Sequence, residues 1–366
     1  MFVTTRLFRE FRQEFNYDRV INWFPGHMAK GLRLIQQRMN ETDILIEVRD
    51  SRIPLSSMNP KFEKLISQSK ERIVVFNKMD LIQSESIQKI RHGFKHHTNL
   101  PILFTDANQD KNVKKIIEMA RSKIEGNPLK YPFINIMVVG MPNVGKSSLI
   151  NSLRRVGTGK GKAMPTGAQP GITRSVGSTV KVWQDPPIYL VDTPGVMIPH
   201  IPNPEQSLKV AVTGGVRDHL ADCQVMSDYI LYQLNKSGLF DYVELFKLTE
   251  PTENIEELLT AVAKRTGLLH KGGIPNLEGA AAYWLKRYRM GALGKQILDD
   301  ITLNGFAKHF EILQDLNQLE KDTKNLTASQ VMNNPLLSKQ QVKKIVKNKR
   351  LEKIRAKRVK MGPRKF

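Results

Sequence analysis

The 366-residue chain predicts an α/β molecule: a doubly wound, mostly parallel sheet of six strands, then an α-helical domain, then a basic tail. Three observations carry this prediction. Short apolar runs rich in β-branched residues alternate with stretches long enough for crossover helices. Beyond Pro204 the apolar spacing turns helical, and the last 28 residues collect more than half of the excess positive charge.

Taken in order, Ile44 to Val48, Ile73 to Phe76, Ile102 to Phe104, Ile136 to Val139 and Ile188 to Val191 each read as a buried parallel strand. Crossover helices are expected at Asn59 to Ser69 and Asn112 to Ile124. Gly177 to Trp183 alternates less cleanly and reads as an antiparallel edge strand, the sixth. In the helical domain, Ile255, Leu258, Leu259 and Val262 follow i, i+3, i+4, i+7 spacing, with Asn254 as N-cap and Glu257 as its N3 partner. Pro199, Pro202 and Pro204 mark a linker; Gly272, Gly273 and Pro275 interrupt the helices. The expected organisation is a leader over 1–21, the α/β domain over 22–203, the helical domain over 204–335 and the tail over 336–366.

No apolar run approaches the ~18 residues of a membrane span. The single Cys223 excludes an intrachain disulfide, and no Cys/His cluster offers a zinc site. Lys and Arg total 57 against 35 acidic residues, a net +22. From Lys339 to Phe366 there are 13 Lys/Arg against Glu352 alone, a net +12 that leaves +10 for the rest. Such an excess points to a polyanion, with nucleic acid or an anionic lipid surface as the two readings and a solvated extension as the bland one. Met1 to Arg9 has arginines, apolar residues and no acid, as a mitochondrial targeting segment has; a plain N-terminal helix is the alternative.

Chemistry concentrates in three motifs. Gly140-Met141-Pro142-Asn143-Val144-Gly145-Lys146-Ser147-Ser148 follows an apolar strand and opens a helix, as a phosphate loop does, so Asn143 to Ser148 are assigned to nucleotide binding. Lys146 is expected on the β and γ phosphates and Ser147 on Mg²⁺. Asp192-Thr193-Pro194-Gly195 places Asp192 at a strand end to hold Mg²⁺ and Gly195 near the γ-phosphate. Asn77-Lys78-Met79-Asp80 is a guanine motif: Asp80 can accept from both N–H groups of the guanine edge, which adenine cannot supply. Between loop and DTPG, a glycine-rich stretch reads as a first switch, with Thr173 the Mg²⁺ ligand that closes on GTP. Val196 stands where many GTPases carry the glutamine that orients water, and valine cannot do this.

The order of the motifs is unusual. NKxD precedes the phosphate loop, so the sequence describes a circularly permuted P-loop GTPase domain, a rewiring that closely spaced surface termini allow. The chain after the second switch then runs directly into the helical domain.

In these motifs and this order the chain resembles the circularly permuted YlqF/RbgA-type GTPases of large ribosomal subunit assembly. Asn22-Trp23-Phe24-Pro25-Gly26-His27-Met28-Ala29-Lys30 and Asp50-Ser51-Arg52-Ile53-Pro54 are similar to that family's signatures, and the strong part of the resemblance spans Asn22 to Asn203. Among its members the basic chain is most similar to the mitochondrial, ribosome-associated ones. The resemblance implies a GTPase that works with GTP/GDP and Mg²⁺, is slow alone, and is stimulated by the ribosome. Its implied partner is the large subunit of the mitochondrial ribosome with its rRNA. The implied place is the matrix or the matrix face of the inner membrane, with peripheral membrane association and a monomeric state. It further implies a catalytic role for His27, against which stand a structural role and RNA contact. It gives Asn143 a role in binding K⁺, against which stands capping of its own loop. Thr105-Asp106-Ala107 departs from the family's Ser-Ala, where a backbone N–H meets guanine O6. Two other functions fit the same residues: a nucleotide-gated rRNA-binding module without useful catalysis, and a regulator of translation on mature ribosomes.

Overall fold

The computed structural model describes residues 11–19, 35–58, 71–159, 179–192 and 203–325. The expected helix Asn59 to Ser69, the prolines Pro199 and Pro202, His27, Thr173, Gly195, Val196 and the tail lie outside them. Six strands form one sheet: β1 (Ile44–Asp50), β2 (Glu71–Asn77), β3 (Ile102–Phe104), β4 (Ile134–Gly140), β5 (Thr179–Trp183) and β6 (Ile188–Asp192). Their spatial order is β3-β2-β1-β4-β6-β5, parallel throughout except for β5, the antiparallel edge. Among the described residues the sheet helices are α1 (Ser84–His97), α2 (Lys114–Gly126) and α3 (Lys146–Thr158). Then follow α4 (Pro204–Val212), α5 (Cys223–Lys236), α6 (Asp241–Phe246), α7 (Ile255–Thr266), α8 (Leu277–Arg289) and α9 (Leu303–Asn325).

The chain forms two compact units, Met1–Phe306 and Ala307–Phe366. Sheet and helices α1 to α8 belong to the first; the second holds the greater part of α9.

Strand alternation sets two unlike faces. Ile44, Ile46 and Val48 of β1 join Ile73, Val75, Ile136 and Val138 in a core that continues into the helices through Tyr229, Leu258 and Trp284. On the opposite face Leu45, Met137, Val139 and Ile35 form a smaller cluster. Beside it the same face of β1 buries charge. Glu47 accepts from Arg49 at 2.9 Å through two nitrogens and from Arg72 Nε at 3.1 Å. Burial opposes ionisation of Glu47, but Arg49 and Arg72 outweigh it and hold the carboxyl at about 2. Arg49 also lies over the Phe76 and Phe94 rings, so the charged triad is walled by aromatics.

Helix α7 begins as its sequence predicts, with Asn254 Oδ1 accepting from Glu256 N and Glu257 N. Its N3 partner behaves differently. Glu257 receives the Thr252 hydroxyl, and that same hydroxyl oxygen accepts from Asn254 N at 3.0 Å, so Thr252 relays the capping box. Pro204 sits in the first turn of α4, capped by Asn203. Residues 11–19 carry no helix or strand and lie along α5, where Arg12 pairs with Asp228 at 2.7 Å and Phe15 packs edge-on to Tyr229. Among the described residues no helix is long and apolar enough to cross a membrane.

Candidate functional site

The phosphate loop and the guanine motif are folded onto each other at the C-terminal ends of β4 and β2. β4 ends at Gly140, whose φ of +150° and closeness to the Val48 carbonyl leave no room for a Cβ. At the other end of the loop Gly145 has φ +98°, and a Cβ there would collide with the Asn77 side chain. Only glycine meets both demands at Gly145. Asn143 between them takes a left-handed φ of 58°. Lys146 starts α3 and donates to the Met141 carbonyl at 2.9 Å. Ser147 and Ser148 follow in the first turn, half-buried, at the positive end of the helix.

Asn77, the last residue of β2, is the fastener of the site. Its Nδ2 donates to the Val144 carbonyl at 3.1 Å, while its Oδ1 accepts from Thr105 Oγ1 at 3.2 Å and Ala107 N at 3.1 Å. Lys78, left-handed at φ 61°, donates to the Asn143 carbonyl at 2.6 Å and to Asp50 at 2.9 Å. Two residues of the guanine motif thus lock the phosphate loop to the loop after β3 and to Asp50. Asp80 is the acidic residue of the same motif. Its Oδ1 is buried without a hydrogen-bond partner, and burial, then the nearby Asp106, raises its pKa. An unpartnered carboxylate oxygen is what a ligand with two adjacent N–H donors would satisfy.

Asp106, at the departure from the family pattern, is buried and closes a tight turn by accepting from Asn108 N and Gln109 N. Ala107 is held from both sides, by Asn77 at its N–H and by Arg155 at its carbonyl (3.2 Å). Arg155 in turn is clamped to Asp110. The base loop is therefore tied to α3, the helix that starts with Lys146.

A further layer was invisible to sequence reading. Asp50 of the Asp50 to Pro54 segment is buried, and although burial opposes its charge, Arg52 and Lys78 hold its carboxyl far below the usual range. Arg52 grips it through two nitrogens at 3.0 and 2.8 Å. The carbonyl of Arg52 accepts from Leu298 N at 2.9 Å, and Asp299 accepts from Leu55 N and Ser56 N, each at 2.8 Å. The segment beyond α8 is thereby fixed to the loop after β1. On the other side, Asn143 Nδ2 donates to the Gly214 carbonyl at 2.8 Å. Gly214 follows α4, in a turn that Arg289 braces through the carbonyls of Ala211 and Val212 and through Asp218. No spacing rule joins residues 71 or 244 positions apart; the only signal was that Asp50 to Pro54 had no chemistry of its own.

Asp192 ends β6 beside Val138 in register, which puts its backbone two residues from Gly140. Hard oxygen donors at Ser147 and Asp192 fit a Mg²⁺ site in type. Asn143 directs its amide nitrogen at the Gly214 carbonyl, and its side-chain oxygen is a donor of the type that suits a cation such as K⁺. Among the described residues no cluster of three His, Cys, Asp or Glu residues offers another metal site.

Comparison with known proteins agrees with this geometry. The chain is 42% identical over 295 residues to Mitochondrial ribosome-associated GTPase 1 of Mus musculus, covering 76% of this chain and 90% of the mouse protein. It belongs to the mitochondrial ribosome-associated GTPase family. Another member, Mitochondrial GTPase 1 of Aedes aegypti, is 40% identical over 299 residues, covering 77% of this chain and 94% of its own. Consistent with membership of the mitochondrial ribosome-associated GTPases, residues 135–268 match the family model described as 50S ribosome-binding GTPase, and residues 44–201 the one described as RsgA GTPase. In fold, GNP-bound YlqF from T. maritima superposes with a TM-score of 0.54 at 21% identity, covering 74% of this chain and 98% of YlqF. The fold is the circularly permuted GTPase fold that the motif order predicts, and the protein is a GTPase that binds guanine nucleotide.

Proposed function

We propose that this mitochondrial GTPase is an assembly factor that binds the large subunit of the mitochondrial ribosome in its GTP state and promotes the subunit's maturation, supporting mitochondrial translation. The observation that carries the mechanism is the double fastening of the nucleotide site to the helical region, by Asn143 to Gly214 and by Asp299 to Leu55 and Ser56. A phosphate loop that carries a hydrogen bond to the turn after α4 cannot rearrange around GTP without that region feeling it. The ribosomal partner is supported by the printed names of the relatives, and the net +22 of the chain suits an RNA-rich particle.

In this reading Asp80 reads guanine, Asn77 and Lys78 hold the base pocket and phosphate loop together, and Lys146 leaves the Met141 carbonyl for the β and γ phosphates. Asn143 to Ser148 cradle them through backbone N–H groups. Ser147, Thr173 and Asp192 would hold Mg²⁺, which supplies charge neutralisation at the transferring phosphoryl group, and Asn143 Oδ1 would contribute to a K⁺ site. Thr173 and Gly195 form the two switches. Val196 cannot orient water, so turnover is slow alone; His27 is the candidate to act in its place when the ribosome orders the site. The protein works as a monomer in the matrix or at the matrix face of the inner membrane, with peripheral membrane attachment and the basic tail on rRNA.

GTP turnover in K⁺ buffer, with and without mitochondrial large subunits and with Lys146→Ala as blank, tests the reading. Strong stimulation by the subunit supports it. Turnover that stays at the blank with assembly precursors present would sink the enzymatic half and leave a nucleotide-gated binding module.

A further inference from the structure

At the end of the sheet opposite the nucleotide, the chain collects aromatic rings and cations that the GTP site does not use. β4 begins at Ile134, β6 at Ile188 and β2 at Glu71, and the antiparallel β5 ends at Trp183, so their flanking residues share this end. The loop entering β4 presents Leu129, 98% exposed, Lys130, Tyr131 and Phe133, itself 46% exposed. Phe133 stands edge-on to Tyr189 at 6.2 Å. Each of the other rings carries a cation: Lys123 and Lys130 lie 5.0 and 5.2 Å from the Tyr131 centroid, Arg121 5.3 Å from Trp183, and Lys181 5.9 Å from Tyr189. Two of the four cations are shared with carboxylates, Lys123 with Glu71 and Arg121 with Glu125. Lys130 and Lys181 are exposed.

We propose that this aromatic and basic surface binds a single-stranded RNA segment, with unstacked bases on Phe133, Tyr131 and Tyr189 and phosphates on Lys130 and Lys181. Single-stranded RNA is recognised by π-faces interleaved with cations, because every base can stack and every linkage is charged. A folded sheet end is a better platform for this than for a bilayer, where an interfacial anchor needs a continuous apolar face; here Tyr131, Trp183 and Tyr189 are each bordered by a lysine or arginine. The placement has a functional consequence. RNA held at this end leaves the phosphate loop free, so the GTPase can stay tethered through both nucleotide states while the opposite end changes its grip. The inference rests on the ribosomal reading only for the source of the RNA, an exposed strand of immature rRNA.

The test uses the full-length protein throughout, so the basic tail is common to every variant. Fluorescence anisotropy with a short oligouridylate is measured for wild type, Phe133→Ala, Tyr131→Ala and Phe133→Trp, and for the pair Lys130→Ala with Lys181→Ala. Loss of either ring should weaken binding by about tenfold, and Phe133→Trp should retain it. The double lysine variant should lower the slope of log K against log salt by about 1.4. GDP affinity, measured alongside, should not move in any of them. Unchanged oligouridylate affinity in the ring variants overturns the proposal. So does a loss confined to vesicles of phosphatidylcholine and cardiolipin, which would make the surface a membrane contact. Sedimentation with mitochondrial large subunits separates this outcome from the broader reading: wild type that fails to co-sediment in any nucleotide state sinks the ribosomal function, whereas ring variants that co-sediment like wild type sink only the RNA surface.

Discussion

In the proposed reading, Asp80 is where a single residue decides which base the molecule binds. Its raised pKa comes from burial and from Asp106, and its buried Oδ1 has no hydrogen-bond partner within the protein. Guanine needs the ionised form, since both of its edge groups donate. The sign follows: with the folded pKa above its ordinary value, protonation competes with guanine, so GDP affinity should fall as pH drops through that raised pKa, earlier than for an unperturbed carboxylate. Isothermal titration of GDP across the acidic range checks this, and a flat profile down to the ordinary aspartate pKa would refute it. Asp80→Asn should exchange the acceptor pair for one donor and one acceptor, weakening GDP by at least ~100-fold while favouring xanthosine diphosphate, whose C2 oxygen accepts. Lys78 of the same motif has a task the sequence did not show: its ammonium donates to the Asn143 carbonyl and to Asp50.

Elements were legible where their signal is local. The apolar runs Ile44 to Val48 and Ile136 to Val139 became β1 and β4 because strands buried on both faces show as continuous apolar sequence, and the weak alternation before Trp183 became the antiparallel edge β5. The extra residues at strand ends escaped the reading because they are polar: Arg49 and Asp50 extend β1, and both are buried with partners. Glu47 within β1 shows what that concealment holds. It neutralises Arg49 and Arg72 inside the sheet, so Glu47→Ala should leave two buried guanidinium groups short of a partner and destabilise the fold by about 3–5 kcal/mol. Urea unfolding gives the value, and a loss under ~1 kcal/mol would mean that water reaches the pair. Because the Glu47 pKa is depressed to about 2, its contribution is present above the ordinary glutamate pKa and disappears as pH falls toward 2. Loop signals were equally uneven. The glycines of the phosphate loop were predicted from the motif, but the reason Gly145 must be glycine is Asn77, 68 positions earlier in the chain and adjacent only after folding.

Permutation gives the whole molecule its particular logic. In an unpermuted order the chain beyond the second switch continues within the same domain; here it runs into α4, and the turn after α4 returns to touch the phosphate loop through Asn143 and Gly214. Two routes then join the motif loops and the helices: this one at the phosphate loop, and the Asp50, Arg52 and Leu298 route at the guanine motif, with Lys78 bonded to both. They differ in what they can report. The base route is identical for GTP and GDP, since both carry guanine, so it acts as a fixed hinge point. The Asn143 route lies beside the phosphates, where the two nucleotides differ, so it is the one able to transmit the γ-phosphate. Asn143→Ala removes the hydrogen bond to the Gly214 carbonyl and puts alanine at a left-handed φ, together an effect of about 1–3 kcal/mol on stability. Its expected effect on coupling is far more specific. In wild type, amide hydrogen exchange over 204–218 should differ between GDP and a non-hydrolysable GTP analogue; in Asn143→Ala the two patterns should converge while affinity for GDP stays within about fivefold of wild type. Asp299→Asn, which weakens the hinge under the base, should loosen 51–58 and 295–300 equally in both nucleotide states. If the nucleotide difference over 204–218 survives in Asn143→Ala, the signal travels through the switch segments alone and the Gly214 contact is only packing.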